Sequence, residues 1–216
     1  MKLPFSHDAF LDLFAAYNAA LWPAVVILWT LTAVWVLLWL RGRATSSRVA
    51  GGLLAVHWAW SGAVYHWGFF RAINPAAALF GLLFVAQAAV FVWLAATSRV
   101  RFAPGSSPRS LLGIGLIVWG LVYPFAGLAF GLEYPRMPVF AVPCPTTLFS
   151  AGLLLNSAGL PRLASVIPLL WAIIGGSAAS ALGIRADLAL VVAAVLLAID
   201  VVAPAALGAR PTLARR

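Results

Sequence analysis

Seven long apolar segments, joined by short polar connections, account for most of this 216-residue chain. A helix needs about 20 apolar residues to cross the hydrocarbon layer of a bilayer, which is roughly 30 Å thick. Charged residues make up 9% of the chain, whereas soluble domains carry about 25%. The sequence therefore predicts an all-α integral membrane protein whose single domain, residues 1–216, lies in the lipid bilayer. The predicted transmembrane helices lie near residues 20–40, 48–70, 75–97, 111–132, 140–158, 163–183 and 187–207.

The residues before the first span predict an amphipathic helix over residues 1–19. Apolar side chains recur there at helical spacing, Ser6 is suited to cap the helix, and Asp8 would lie favourably in its first turn. The acidic residues of this stretch argue against a cleavable signal peptide. We therefore expect an interfacial helix that leads into the first span. Its apolar residues are Phe10, Leu13, Phe14, Tyr17 and Leu21.

Successive connections between the predicted spans lie on alternate sides of the membrane, and basic residues are distributed unequally between these two sides. Because cytoplasmic loops carry an excess of Lys and Arg, the pattern predicts an N-terminus outside and a cytoplasmic C-terminus. These residues are not gathered on one polar module, so no nucleic-acid partner is expected. Thirteen arginines against one lysine, with abundant alanine, indicate a GC-rich bacterial genome. The expected location is therefore the bacterial cytoplasmic (inner) membrane. The side predicted to be cytoplasmic holds Arg41, Arg43, Arg48, Arg99, Arg101, Arg109, Arg162, Arg210, Arg215 and Arg216.

The stretch E-Y-P-R-M-P-V-F-A-V-P-C-P-T-T, residues 133–147, contains the only cysteine. Pro145 is suited to the first turn of a helix, which would place Cys144 at the cap, next to free backbone amides. Such a position is expected to lower the pKa of the thiol and favour a reactive, metal-binding thiolate. Thr146 and Thr147 add hydroxyl groups beside it. The alternative is that Cys144 only fills a tight helix start.

Four further polar residues are predicted at the same, outer end of the bundle. His66 lies near the end of the second span, and Asn74 lies in the short turn after it. Glu133 and Tyr134 follow the fourth span and complete this outer cluster. A salt bridge from Glu133 to Arg71 or Arg136 is the structural alternative. His66 and Cys144 are candidate ligands of a soft metal ion, and no other cofactor is predicted.

Asp200 is predicted to lie well inside the seventh span. A carboxyl group at that depth must pair, take up a proton or face water, so Asp200 is a candidate proton relay. Gln87, Tyr123 and Asn156 are also polar and mid-span, and we interpret them as hydrogen-bonding contacts between helices.

Several stretches resemble an uncharacterised bacterial family of small multi-spanning inner-membrane proteins. They are Tyr65-His66, the run F-F-R-A-I-N-P-A-A, Tyr134-Pro135, P-C-P-T-T, and I-P-L-L-W-A followed by G-G-S-A. The resemblance covers most of the chain, and its motifs fall mainly on the predicted outer ends of helices. It implies no activity, substrate or cofactor.

Three functional classes follow from these patterns. The leading hypothesis is a transporter or binder of a small solute or ion, with an outward-facing site. The second is a non-catalytic subunit of a larger membrane complex, with other subunits or further copies of the chain as partners. The third is a thiol-dependent enzyme, which needs Cys144 and His66 within hydrogen-bonding reach. No phosphate-binding loop, dinucleotide-binding glycine pattern or hydrolase motif occurs, so an enzyme is not favoured. The predicted site residues are His66, Asn74, Glu133, Tyr134, Cys144, Thr146 and Thr147.

Overall fold

The computed structural model describes residues 3–43, 46–97 and 100–208, and within them the chain is almost entirely helical. The two β-strands have two residues each, β1 at Arg101–Phe102 and β2 at Ser157–Ala158, and they pair antiparallel. The seven α-helices are α1 His7–Leu40, α2 Ser47–Trp60, α3 Ala77–Thr97, α4 Pro108–Ala129, α5 Pro143–Leu155, α6 Val166–Leu182 and α7 Ala189–Val202.

Four helices in the described part of the chain are long and apolar enough to cross a membrane. They are His7–Leu40, Ala77–Thr97, Pro108–Ala129 and Arg162–Leu182, the last including a 3-10 turn before α6. In addition, α2 continues directly into the π-helix Ser61–Phe69. Each predicted apolar segment overlaps one of the seven α-helices, although the bounds differ. Seven membrane spans stay a prediction, because α5 has only 13 residues and α7 only 14. The outside location of the N-terminus also stays a prediction.

The structure differs from the prediction at the N-terminus, where one helix replaces two. α1 runs without a break through Pro23 for 34 residues, a length of about 50 Å. Its start is capped as predicted, because the Ala9 N–H donates to the Ser6 hydroxyl at 3.2 Å. The predicted apolar face is buried against the other helices from Phe10 to Tyr17. The Asn18 amide, donating to the carbonyls of Pro135 and Met137, fixes the middle of this long helix.

α5 is the central helix of the bundle, and nearly all of its residues are buried. It packs closest to α4, where glycines remove the side chains between the two backbones. A Cβ atom on Gly113 would lie 2.7 Å from the Gly152 carbonyl oxygen, and one on Gly120 would lie 3.0 Å from that of Pro145. This close approach places the first turn of α5, with Cys144, beside the C-terminal half of α4.

Candidate ligand-binding cavity

A cavity of about 320 Å³ lies between the start of α1, the π-helix, the first turn of α5, and α6. Most of its walls are apolar or aromatic. The described lining has three polar residues other than tyrosine, namely Asn74, Cys144 and Asp187. We call this space the outer cavity. It combines an apolar volume with a few convergent polar groups, which is the usual composition of a small-molecule site.

Asp187 reaches the outer cavity because α6 ends sharply before it. Gly183 takes the left-handed conformation at the C-cap, with φ of +69°, and the chain then forms the 3-10 turn Arg185–Leu188. Only 4% of Asp187 is exposed. Its carboxylate accepts a hydrogen bond from the Tyr123 hydroxyl of α4 and one from the Cys144 thiol of α5. Three separate elements therefore meet at one buried carboxylate.

Burial controls the protonation of the Asp187 carboxyl and the Cys144 thiol, which both lie outside the four long helices. Burial raises the pKa of Asp187 to about 6, although the hydrogen bonds from Tyr123 and Cys144 oppose the shift. Burial, followed by the charge of Asp187, raises the pKa of the Cys144 thiol well above its usual value. The predicted lowering of the Cys144 pKa is therefore wrong. A carboxylate beside the sulfur and loss of solvent outweigh the backbone amides at the helix start.

His66 lies behind the wall of the outer cavity rather than in it. Its ring is fully buried and packs edge-to-face against Phe84 and Trp171, with ring centroids 4.8 and 5.0 Å apart. Neither ring nitrogen has a hydrogen-bond partner among the described residues. The Cys144–His66 hydrogen bond that a thiol-dependent enzyme would need is thus not formed. The described residues also contain no group of three or more His, Cys, Asp or Glu side chains that could hold a metal ion.

The remaining members of the predicted outer cluster are divided between different environments. Asn74 lines the outer cavity and accepts a hydrogen bond from the Ala76 N–H at 3.0 Å. Thr146 and Thr147 are fully buried, and the Thr146 hydroxyl accepts from Ser61 at 3.3 Å. Glu133 is exposed on the surface of the bundle.

Tyr134 lines a different space, an open groove of about 610 Å³ between α1 and α4. Aromatic and aliphatic side chains form this groove, and its described lining includes no charged residue. Arg136 does not pair with Glu133, since its guanidinium contacts Asp8 and Asp12 of α1 at 3.2 and 2.8 Å. The groove is larger than the outer cavity, and Asn18 and Tyr134 give its described lining uncharged polar groups.

Asp200 is buried, as predicted, and it has a partner that the sequence analysis did not identify. Its carboxylate forms a salt bridge with Arg109, and both side chains are fully buried. The Arg109 Nε–H also donates to the Leu155 carbonyl at 2.8 Å. Arg109 was predicted to be a cytoplasmic loop residue that fixes orientation. It instead occupies the first turn of α4 and links α4, α5 and α7. The proton relay through Asp200 stays a prediction.

Sequence reasoning missed three residues of the site: Asp187, Tyr123 and Trp171. Tyr123 was interpreted only as a contact between helices, and Asp187 only as a charge on the outer loops. The burial of Asp187 could have been predicted, because Asp187 lies between two apolar segments, as Glu133 does. The connection between these segments is too short to form a long polar loop that would expose the side chain to water. Trp171 gave no signal, since ten tryptophans occur in the chain.

The described residues thus form a helical bundle in which four helices are long and apolar enough to cross a membrane, and the bundle contains a small cavity with mainly apolar walls. Residues 7–210 match a family of unknown function, DUF6064, and the chain belongs to that family. Neither a curated protein nor a solved structure matches the chain.

Proposed function

We propose that this chain is a bacterial inner-membrane protein that binds a small solute in the outer cavity and carries it across the membrane. The observation that supports the proposal is the pair formed by the buried Asp187 and the half-buried Cys144, placed on the wall of a 320 Å³ cavity with otherwise mainly apolar walls. Small-molecule sites commonly have volumes of about 300–1,000 Å³. Burying a carboxylate without a charged partner costs free energy. The presence of such a carboxylate in a cavity therefore indicates a role in ligand binding.

Access to the outer cavity is controlled by the segment before α1. Leu3, Pro4 and Phe5 line the cavity although they belong to no helix. The Phe5 ring packs on Phe10 and Phe70, with centroids 5.6 and 5.4 Å apart. These contacts join the segment to the outer end of the bundle. Displacement of Phe5 alone would open the cavity without moving a long helix.

Two-sided labelling of Cys144 tests binding and transport together, because the chain has no other cysteine. A small membrane-impermeant maleimide is added either to intact spheroplasts or to inverted vesicles. A transporter exposes its site alternately to both sides, so Cys144 is expected to react in both preparations. The raised pKa of the thiol leaves little thiolate at neutral pH, so the rate should rise about tenfold per pH unit between about pH 7 and 9.

Matched substitutions on α6 show whether the reagent passes through the outer cavity. Ala178 lines the cavity, whereas Ala181 is exposed on the same helix and lies outside the lining. Ala178→Trp should abolish labelling, and Ala181→Trp should leave it unchanged, with both variants showing the wild-type melting temperature. Labelling from one side only would refute transport and leave a binding protein. A thiol that reacts from neither side would contradict the proposal and favour the complex-subunit class.

A further inference from the structure

Seven aromatic side chains belong to the described lining of the outer cavity. Phe5, Phe70 and Tyr65 form a continuous series, with centroids 5.4 Å apart for the first pair and 5.6 Å for the second. Trp171 and Phe80 form another part of the wall, with centroids 5.2 Å apart. The faces of such rings carry negative electrostatic potential, and rings grouped around a cavity attract cations, quaternary ammonium groups in particular.

The charge within the outer cavity has one sign. Asp187 is the only ionisable acid or base among the described lining residues apart from Cys144 and Tyr65, and no Lys, Arg or His belongs to that lining. The two groups that bond to the Asp187 carboxylate, the Tyr123 hydroxyl and the Cys144 thiol, are neutral donors. Among the described lining residues, no cation therefore compensates the negative charge. An anionic ligand would meet repulsion, while a cation would supply the missing counter-charge.

We propose that the solute bound in the outer cavity is a small organic cation, an amine or quaternary ammonium compound with an apolar body. Its charged nitrogen lies against the Asp187 carboxylate, and its apolar part contacts Tyr65, Phe70 and Trp171. This inference rests on the proposed binding function and adds the chemical class of the ligand. Neutral apolar molecules would fill the same volume but leave the buried carboxylate without a counter-charge. A carboxylate among aromatic side chains thus favours a cation.

Protection of Cys144 from alkylation by N-ethylmaleimide tests the inference. The probes are phenyltrimethylammonium and tert-butylbenzene, which have the same shape and differ in charge. At equal free concentrations of the two probes, the cation should slow the alkylation of Cys144 at least about tenfold more than the neutral compound. This ratio corresponds to a difference of about 1.4 kcal/mol in binding free energy. The wild-type protein in lipid nanodiscs is used throughout.

Asp187→Asn supplies the matched variant, because the amide keeps the shape and removes the charge. It should abolish the preference for the cation, while Asp8→Asn, at an exposed position on α1, should retain it. Equal protection by both probes in the wild-type protein would overturn the cation assignment and leave a solute site in place. Protection by neither would also overturn it, and the two-sided labelling would then decide the proposed function separately.

The pH dependence of cation binding provides a test that needs no variant. The groups facing the carboxylate from α4, α5 and the π-helix are Tyr123, Cys144 and Tyr65, all uncharged near pH 6. With the pKa of Asp187 at about 6, a proton competes with the cation below that pH. Affinity measured by calorimetry should be constant above about pH 7 and fall about tenfold per pH unit below about pH 5.5. A flat profile between pH 5 and 7 would contradict a role for Asp187.

Discussion

Replacing Arg109 with alanine is expected to lower the free energy of unfolding by about 3–5 kcal/mol, the cost of leaving one partner of a buried ion pair without the other. Arg109 and Asp200 are both fully buried and in contact. The substitution also removes the bond from the Arg109 Nε–H to the Leu155 carbonyl. Asp200 would then have to take up a proton or draw water into the bundle. Thermal unfolding in detergent, followed by circular dichroism, measures the loss.

An exposed ion pair of the same chain provides the control for this effect. Arg136 forms two salt bridges to Asp8 and Asp12, but its side chain is 45% exposed and those of its partners are 81% and 67% exposed. Exposed pairs contribute about 0–1 kcal/mol, because water solvates the separated charges well. Arg136→Ala should therefore change stability by less than about 1 kcal/mol. Similar losses for Arg136→Ala and Arg109→Ala would contradict the importance of burial.

A paired substitution separates the charge from the packing. Arg109→Met combined with Asp200→Leu removes both charges and keeps most of the apolar volume. Replacing a buried ion pair by apolar residues is often neutral or stabilising. The double variant should hence be more stable than either single variant, which requires a coupling energy of about 3 kcal/mol or more between the two sites. Strict additivity of the two single effects would show that the pair contributes through other contacts.

The helices of this chain could be predicted from its sequence, because a helix that crosses a lipid bilayer needs about 20 consecutive, mainly apolar residues. A segment such as residues 75–97 is apolar on all sides, and the observed helix Ala77–Thr97 differs from it by two residues at the start. The fifth segment was predicted over 140–158, yet α5 begins at Pro143 and ends at Leu155. Prolines at its start and Asn156 at its end delimit it, and Asn156 caps the helix by donating to the Gly152 carbonyl at 2.9 Å.

The members of the site could not be predicted, because their pairing depends on contacts between distant parts of the chain. Tyr123 and Asp187 are 64 positions apart and belong to different helical hairpins. Arg109 illustrates the same difficulty for charges. In the sequence it resembles the other loop arginines, and only the position of Asp200 on a neighbouring helix distinguishes it. Hydropathy defines depth in the membrane but carries little information on which helices are neighbours.

Replacing Gly152 with alanine should lower stability by about 3 kcal/mol or more, the upper end of the cost of overpacking a core. A Cβ atom at this position would lie 2.6 Å from the Ile117 Cγ1 and 2.9 Å from the Ile117 backbone nitrogen, and it would overlap the Gly113 carbonyl oxygen. Backbone atoms cannot move aside as a flexible side chain can, so α4 and α5 must separate. The melting temperature in detergent is the measurement.

Gly115→Ala on α4 isolates this steric effect, because a Cβ atom there would meet nothing within 4 Å. Alanine has a higher helix propensity than glycine by about 1 kcal/mol, so this variant should be as stable as the wild-type protein or slightly more so. The spacing of α4 and α5 also positions Tyr123 and Cys144 around Asp187. Gly152→Ala should therefore increase the alkylation rate of Cys144, while Gly115→Ala should leave that rate unchanged. Unaltered labelling in a destabilised Gly152→Ala protein would show that the site does not depend on this helix contact.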